Sequence, residues 1–251
     1  MVRYILGRLL GIIGVLFGVS LITFLFMHAV PGGPFDAMNK QEMPLPEHIR
    51  AALMEKYQLD QPIYVQYSSY VGNALRGDWG ISFRYGEPVT AFIARSWPVT
   101  IQLGLVTLVI AVIVGGIMGT LSALWPNSWV DYLTSIAVVT NLVTPTFVVA
   151  VLLIVVFSVQ LRWLPTGGWG TLEQMIMPVL AYALGPAATI ARYVRSSMLE
   201  ALAADYIRTA TAKGLAPRIV IGRHAARNAL LPLLTVIGPL VAWMVTGSFF
   251  I

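Results

Sequence analysis

Residues 96–130 read SWPVTIQLGLVTLVIAVIVGGIMGTLSALWPNSWV, thirty-five positions without one Asp, Glu, Lys or Arg. A helix of about 20 apolar residues crosses a hydrocarbon core roughly 30 Å thick, so this run is long enough to span a membrane. Four further runs share the property: residues 9–35, 132–161, 174–191 and 228–251. None alternates polar and apolar positions as the strands of a membrane barrel do. Helices satisfy their own backbone hydrogen bonds, which lipid cannot do for them. The expectation is an all-α, polytopic membrane protein with at least five crossing helices.

Composition agrees. Hydrophobic residues make up 57% of the 251 and charged residues 11%, against about 25% charged in a soluble domain. That deficit excludes disorder, a nucleic-acid surface spread over the fold and an ordinary soluble enzyme. Cysteine is absent, which removes disulfide and thiol chemistry. The first run follows Arg3 and Arg8 as a signal peptide would. But residues 9–27 exceed a usual signal core, and His28-Ala29-Val30-Pro31 lacks a small-x-small cleavage site; the run reads as a retained helix.

The net charge of +5 is placed in blocks. Arg3 and Arg8 mark the N-terminus, residues 31–95 are nearly balanced, and Asp131 stands alone in a short turn. Residues 192–227 carry seven basic side chains (Arg192, Arg195, Arg208, Lys213, Arg218, Arg223, Arg227) against Glu200 and Asp205. Basic loops face the cytoplasm. The N-terminus, the Asp131 turn and this basic segment are therefore expected inside, with residues 31–95 and 162–173 outside. The whole chain, 1–251, reads as a single transmembrane domain. Within it, 31–95 is an extracytoplasmic loop with a short helix, and 192–228 is a cytoplasmic loop. The short helix is expected over residues 46–57, with Pro46 in its first turn and Ile49, Leu53 and Tyr57 four apart. Gly77-Asp78-Trp79-Gly80 reads as a turn.

Trp97, Trp125, Trp129, Trp163 and Trp169 lie at or just beyond run ends, where headgroups favour them. Trp243 lies inside a run and is expected to pack on another helix. Gly7 and Gly11, Gly14 and Gly18, and Gly115 and Gly119 repeat at spacing four, which lets helices approach closely in lipid. Packing within this chain's own bundle is the plainer reading, and pairing with a second membrane subunit the sharper one. Pro145 follows Asn141, Thr144 and precedes Thr146. A kink there frees a carbonyl that hydroxyls can satisfy. Asn141, Thr144 and Thr146 are pathway candidates, with helix–helix hydrogen bonding as the alternative.

Catalytic motifs are absent. There is no phosphate-binding G-x-x-x-x-G-K-[ST], and His28, His48 and His224 are solitary, without a ligand pattern. Gly80-Ile81-Ser82-Phe83 starts like a nucleophile elbow and lacks the closing glycine. No Asp, Glu, Lys or Arg lies deep in a run, as an ion-coupled carrier working alone would need. A transporter of this kind needs energy from elsewhere. The segment 192–218 reads as helix, break, helix, with Gly214 as a left-handed cap and Pro217 as a new start. It suits either a cytoplasmic partner or anionic lipid.

Residues 205–215, DYIRTATAKGL, followed by 223–232, RHAARNALLP, resemble the cytoplasmic signature of binding-protein-dependent ABC importer permeases, the peptide branch above all. RYILGR at 3–8, HAVPGGPF at 28–35, KYQLDQPI at 56–63, GDWG at 77–80 and WLPTGGW at 163–169 extend the likeness in order along the chain. The chain is similar to the first of two permease subunits of oligopeptide and dipeptide importers. The resemblance implies a type I ABC importer helix bundle in the bacterial or archaeal cytoplasmic (inner) membrane. Five helices are present, and a sixth is expected beyond the chain end. It also implies a second permease subunit, two cytoplasmic ABC ATPases and an extracytoplasmic substrate-binding protein as partners in the lipid bilayer, with no nucleic acid. The chain would bind no cofactor and catalyse nothing; ATP and Mg would sit on the partner subunits. Tyr206, Arg208, Thr209, Ala210, Lys213, Gly214 and Leu215 would form the coupling helix that meets an ATPase. Thr209-Ala210-Thr211 stands where the wider superfamily often has Glu-Ala-Ala, so a glutamate salt bridge is not implied. The same build importing nickel, glutathione or another small solute is the alternative; a solitary channel or carrier and a passive anchor are the remaining classes.

Overall fold

The computed structural model describes residues 1–29, 51, 54–82 and 85–246. The described residues are mostly helical and divide into two compact units, Met1–Ala94 and Arg95–Ile251.

In the first unit, helix α1 (Val2–Ala29) is apolar on every side, and Phe24 is its one buried residue. The short helix α2 (Ile63–Leu75) packs on its C-terminal end. The rings of Tyr67 and Tyr70 lie 5.3 and 6.0 Å from that of Phe24, and the Ser20 and Tyr67 hydroxyls are 2.9 Å apart. His28 Nε2 meets Gln66 Oε1 at 3.0 Å. Gly77, at φ +83, ends α2. Its N–H donates to Ala74 O and that of Asp78 to Asn73 O, the paired bonds of a Schellman cap. Gly80 N then donates to Asp78 Oδ1 at 3.0 Å, which makes the turn expected there. Of the helix expected over 46–57, residues 46–50, 52 and 53 lie outside the described residues, and 54–57 are helical.

The second unit holds most of α3 (Val89–Leu124), then α4 (Trp129–Val143) and α5 (Thr146–Gln160), followed by α6 (Leu172–Ala203) and α7 (Asp205–Ala212). It closes with α8 (Pro217–Ala229) and α9 (Leu231–Thr246). Helix α6 is its centre and packs against α4, α5, α7, α8 and α9. Helices α3 and α6 run side by side in the same direction. A Cβ on Gly115 would lie 2.5 Å from Ala187 O, and one on Gly119 2.5 Å from Ala191 O. Both glycines are required by this approach of backbones. The four glycines of α1 differ: a Cβ on Gly7, Gly11, Gly14 or Gly18 would meet nothing within 4 Å. Packing within the chain, the plainer expectation, therefore holds for Gly115 and Gly119.

Among the described residues three helices, α1, α3 and α6, are long and apolar enough to cross a membrane alone. Two bent pairs complete the five runs: α4 with α5, at 105°, and α8 with α9, at 48°. The larger bend lies at Thr144 and Pro145, both extended (ψ 117 and 138). Proline has no N–H for the ladder and disfavours helix before it. The smaller bend follows Leu230. Each pair joins the two ends of α6. Ala225 and Ala229 pack with Val194 and Met198, whereas Met244 packs with Leu103, Val179 and Tyr182. Pro217 does start α8. Trp243 does pack on another helix, its ring 5.0 Å from that of Tyr182. Trp97, Trp125, Trp129 and Trp163 are exposed.

Candidate functional site

The segment 192–228 is helical over most of its length, because α6 continues to Ala203 before the chain turns. Ala204 alone is extended (ψ 149) and re-aims the backbone into α7. Helix α7 has two faces. Ile207 and Ala210 are buried in a cluster with Met198 and Ala201 of α6 and Val220 and Ala225 of α8. Tyr206, Arg208, Thr209 and Lys213 are exposed. Arg208 reaches Asp205 at 3.5 Å, with both side chains largely in solvent, so the pair adds little. Gly214 has φ +75. Its N–H donates to Thr211 O and that of Leu215 to Ala210 O, a second Schellman cap. The structure thus separates the seven residues singled out in the sequence. Tyr206, Arg208, Thr209 and Lys213 are displayed, Ala210 faces the core, Leu215 is half-buried, and Gly214 sets the turn.

The second candidate group lies at the sharp bend. Thr144 Oγ1 donates to Thr140 O at 2.8 Å and so serves its own helix end. Asn141 and Thr146 are half-buried, and Asn141 Oδ1 would lie 3.4 Å from a Cβ on Gly185 of α6.

A third group was not found by motif. Asp131, in the first turn of α4, is 4% exposed and Ser122 of α3 fully buried. Arg195 of α6 donates from Nε to Asp131 Oδ1 and from Nη2 to Asp131 Oδ2, both at 2.7 Å. Ser122 Oγ donates to Asp131 Oδ1, and Asn127 N to Asp131 Oδ2 at 2.9 Å. Arg195 Nε is also 3.0 Å from Ser122 Oγ. Each carboxylate oxygen therefore accepts two hydrogen bonds, which is what makes a buried charge tolerable. The signal in the sequence was the isolation of Asp131, the only charge between Arg95 and Arg162. Intramembrane ionisable groups pair with one another.

At the opposite end of α6 lies a mainly apolar cavity of about 310 Å³, lined by Thr100, Leu103, Ala150, Trp169, Gln174 and Met177 among others. Trp169 Nε1 donates to Gln102 Oε1 at 3.3 Å, which ties the 161–171 loop to α3. Among the described residues no group of three or more His, Cys, Asp or Glu is placed to hold a metal.

Comparison with known proteins decides the family. Residues 111–251 match the binding-protein-dependent transport system inner membrane component family, and residues 1–104 match the N-terminal region of such membrane components. The chain belongs to this family. It is 43% identical to the oligopeptide transport system permease protein OppB of Salmonella typhimurium, over all of this chain and 82% of that one. It is 42% identical to OppB of Escherichia coli K12 with the same coverage. It is 40% identical to the dipeptide transport system permease protein DppB of Bacillus subtilis, over all of this chain and 80% of that one. The chain is thus a multi-pass membrane permease component, and its helices form a bundle of the type I ABC importer kind.

Proposed function

We propose that this chain is a transmembrane subunit of an ATP-driven importer of oligopeptides or dipeptides. It forms half of the pathway and receives ATPase movement through α7. The observation that carries the coupling role is the division of α7: one face is sunk into α6 and α8, and the other displays Tyr206, Arg208, Thr209 and Lys213. A helix held this way moves its supports when pushed. The chain has no phosphate loop, so ATP and Mg belong to two partner ATPases. A second permease completes the pathway, and an external binding protein delivers the solute. The basic N-terminus and the basic residues around α7 support a cytoplasmic position for both, with residues 31–95 and 162–173 outside. The peptide relatives favour peptides over nickel or glutathione.

The test uses the full importer in proteoliposomes. Arg208→Glu with Lys213→Glu reverses charge on the displayed face without entering the core. Copurification of the ATPases and ATP-driven peptide uptake should each fall at least ten-fold. Unchanged ATPase copurification with unchanged uptake would remove the coupling role from α7.

A further inference from the structure

We propose that Asp131, Arg195 and Ser122 form a force-transmitting clasp that makes the α3–α4 turn and the end of α6 move as one body when α7 is pushed. The inference rests on the importer reading above. It makes the three side chains positioning residues, without contact to solute or ATP.

The geometry is that of a joint. Arg195 lies eight residues before Ala203, the last residue of α6, or about 12 Å along the helix at 1.5 Å per residue. Between them, Met198 and Ala201 pack on Ile207 and Ala210 of α7. A continuous packed path therefore leads from α7 to Arg195. From Arg195 the connection passes to α4 through the two-pronged bond to Asp131. It passes to α3 through Ser122 and to the intervening turn through Asn127 N. Beyond Asp131, α4 leads to the 105° bend and to α5. Apolar contacts can slide by small steps. Two parallel charged hydrogen bonds from a part-buried arginine to a buried carboxylate resist both sliding and rotation. The glycine contacts of α3 with α6 hold the same two helices farther along, where Val138 of α4 meets Ala188 and Ala191 through apolar contact alone. The clasp joins all three elements, and it does so next to the helix that receives the push.

Two measurements on the assembled importer test this. Arg195→Lys keeps the cation and loses the planar fork. The ratio of peptide imported to ATP hydrolysed should fall at least three-fold. A ratio within 1.5-fold of the parent, or uptake and hydrolysis falling in equal proportion, would show a purely structural role. The second measurement needs no peptide and survives a wrong solute. Spin labels on Pro126→Cys and Ala203→Cys should keep one separation with and without ATP in the parent. They should separate in two populations when Arg195→Met is added. A parent separation that itself changes by several ångströms with ATP overturns the clasp. If Arg195→Met fails to assemble, Ser122→Ala takes its place and should lower the ratio two-fold or more; an unaltered ratio there counts against the proposal. A parent complex that hydrolyses ATP but imports no peptide would instead overturn the solute assignment, and the label distances would still decide the clasp.

Discussion

Small side chains decide how close α3 and α6 come. With Ala187 O and Ala191 O only 2.5 Å from the Cβ positions of Gly115 and Gly119, even alanine forces backbone to move. Overpacking costs about 1–3 kcal/mol and more when backbone is the obstacle. Gly119→Leu should therefore lower the melting temperature of the purified chain in detergent by several degrees. Gly116→Ala, with nothing within 4 Å, should change its stability by less than about 0.5 kcal/mol. Gly116 stands next to Gly115 in the sequence. Only the partner's backbone distinguishes them, and spacing carries no information about which helix lies opposite. Thr107 makes a complementary case. It is fully buried, and its hydroxyl has no hydrogen-bond partner among the described residues. A buried unpaired group costs about 1–3 kcal/mol. Thr107→Val keeps the branched shape and should raise stability by roughly 1 kcal/mol, read by thermal unfolding; a loss of stability would mean the hydroxyl is bonded in the membrane.

At the scale of elements, the apolar runs were legible because hydrocarbon thickness sets a minimum length that composition reveals. Helix ends were less so. Helix α3 starts at Val89, and α6 continues to Ala203, both beyond the charge-free stretch. Arginines such as Arg192 can extend from a helix end toward headgroups, so charge marks the interface and not the last turn. The C-terminal end of α7 was legible, since Gly214 and Pro217 act locally, but its start after the extended Ala204 was not. The burial of Ala210 was not, because a motif does not say which face meets the core. The clasp joins positions 64 apart, a tertiary pairing that local reading does not reach. The bend at Pro145 can be tested directly. Leu133 and Leu152 are both exposed and would lie about 28 Å apart in a straight helix. Spin labels there should be roughly 10 Å closer in the parent, given 1.5 Å per residue along each arm. Pro145→Ala, which restores a donor and relaxes Thr144, should lengthen the distance. An unchanged distance would assign the bend to packing against α6 instead of to proline.

At the scale of the molecule, the ion pair bears on how the α4–α5 segment traverses the bundle. A hydrophobic pair bent by 105° can be a broken span or a re-entrant loop. Asp131 is bonded to Arg195, which lies 23 residues after Leu172, or about 35 Å along α6. That exceeds the hydrocarbon core of about 30 Å. The chain leaves Asp131 at this end of α6 and re-enters α6 at Leu172, at the other end. With α6 crossing the membrane, the chain has to cross between them, and the expectation is a broken span. Helix α3 runs parallel to α6, and the α8–α9 pair returns along it, which leaves each turn on a definite side. The absence of cysteine makes the sidedness measurable with single cysteines and a membrane-impermeant maleimide. Pro126→Cys and Thr209→Cys should label only from the cytoplasmic side, in inverted vesicles. Leu172→Cys, 82% exposed, should label only from outside, in intact spheroplasts. Labelling of Pro126→Cys and Leu172→Cys from one side would make α4–α5 re-entrant, and would also contradict the Asp131–Arg195 bond, because α6 alone is long enough to hold its two ends on opposite faces.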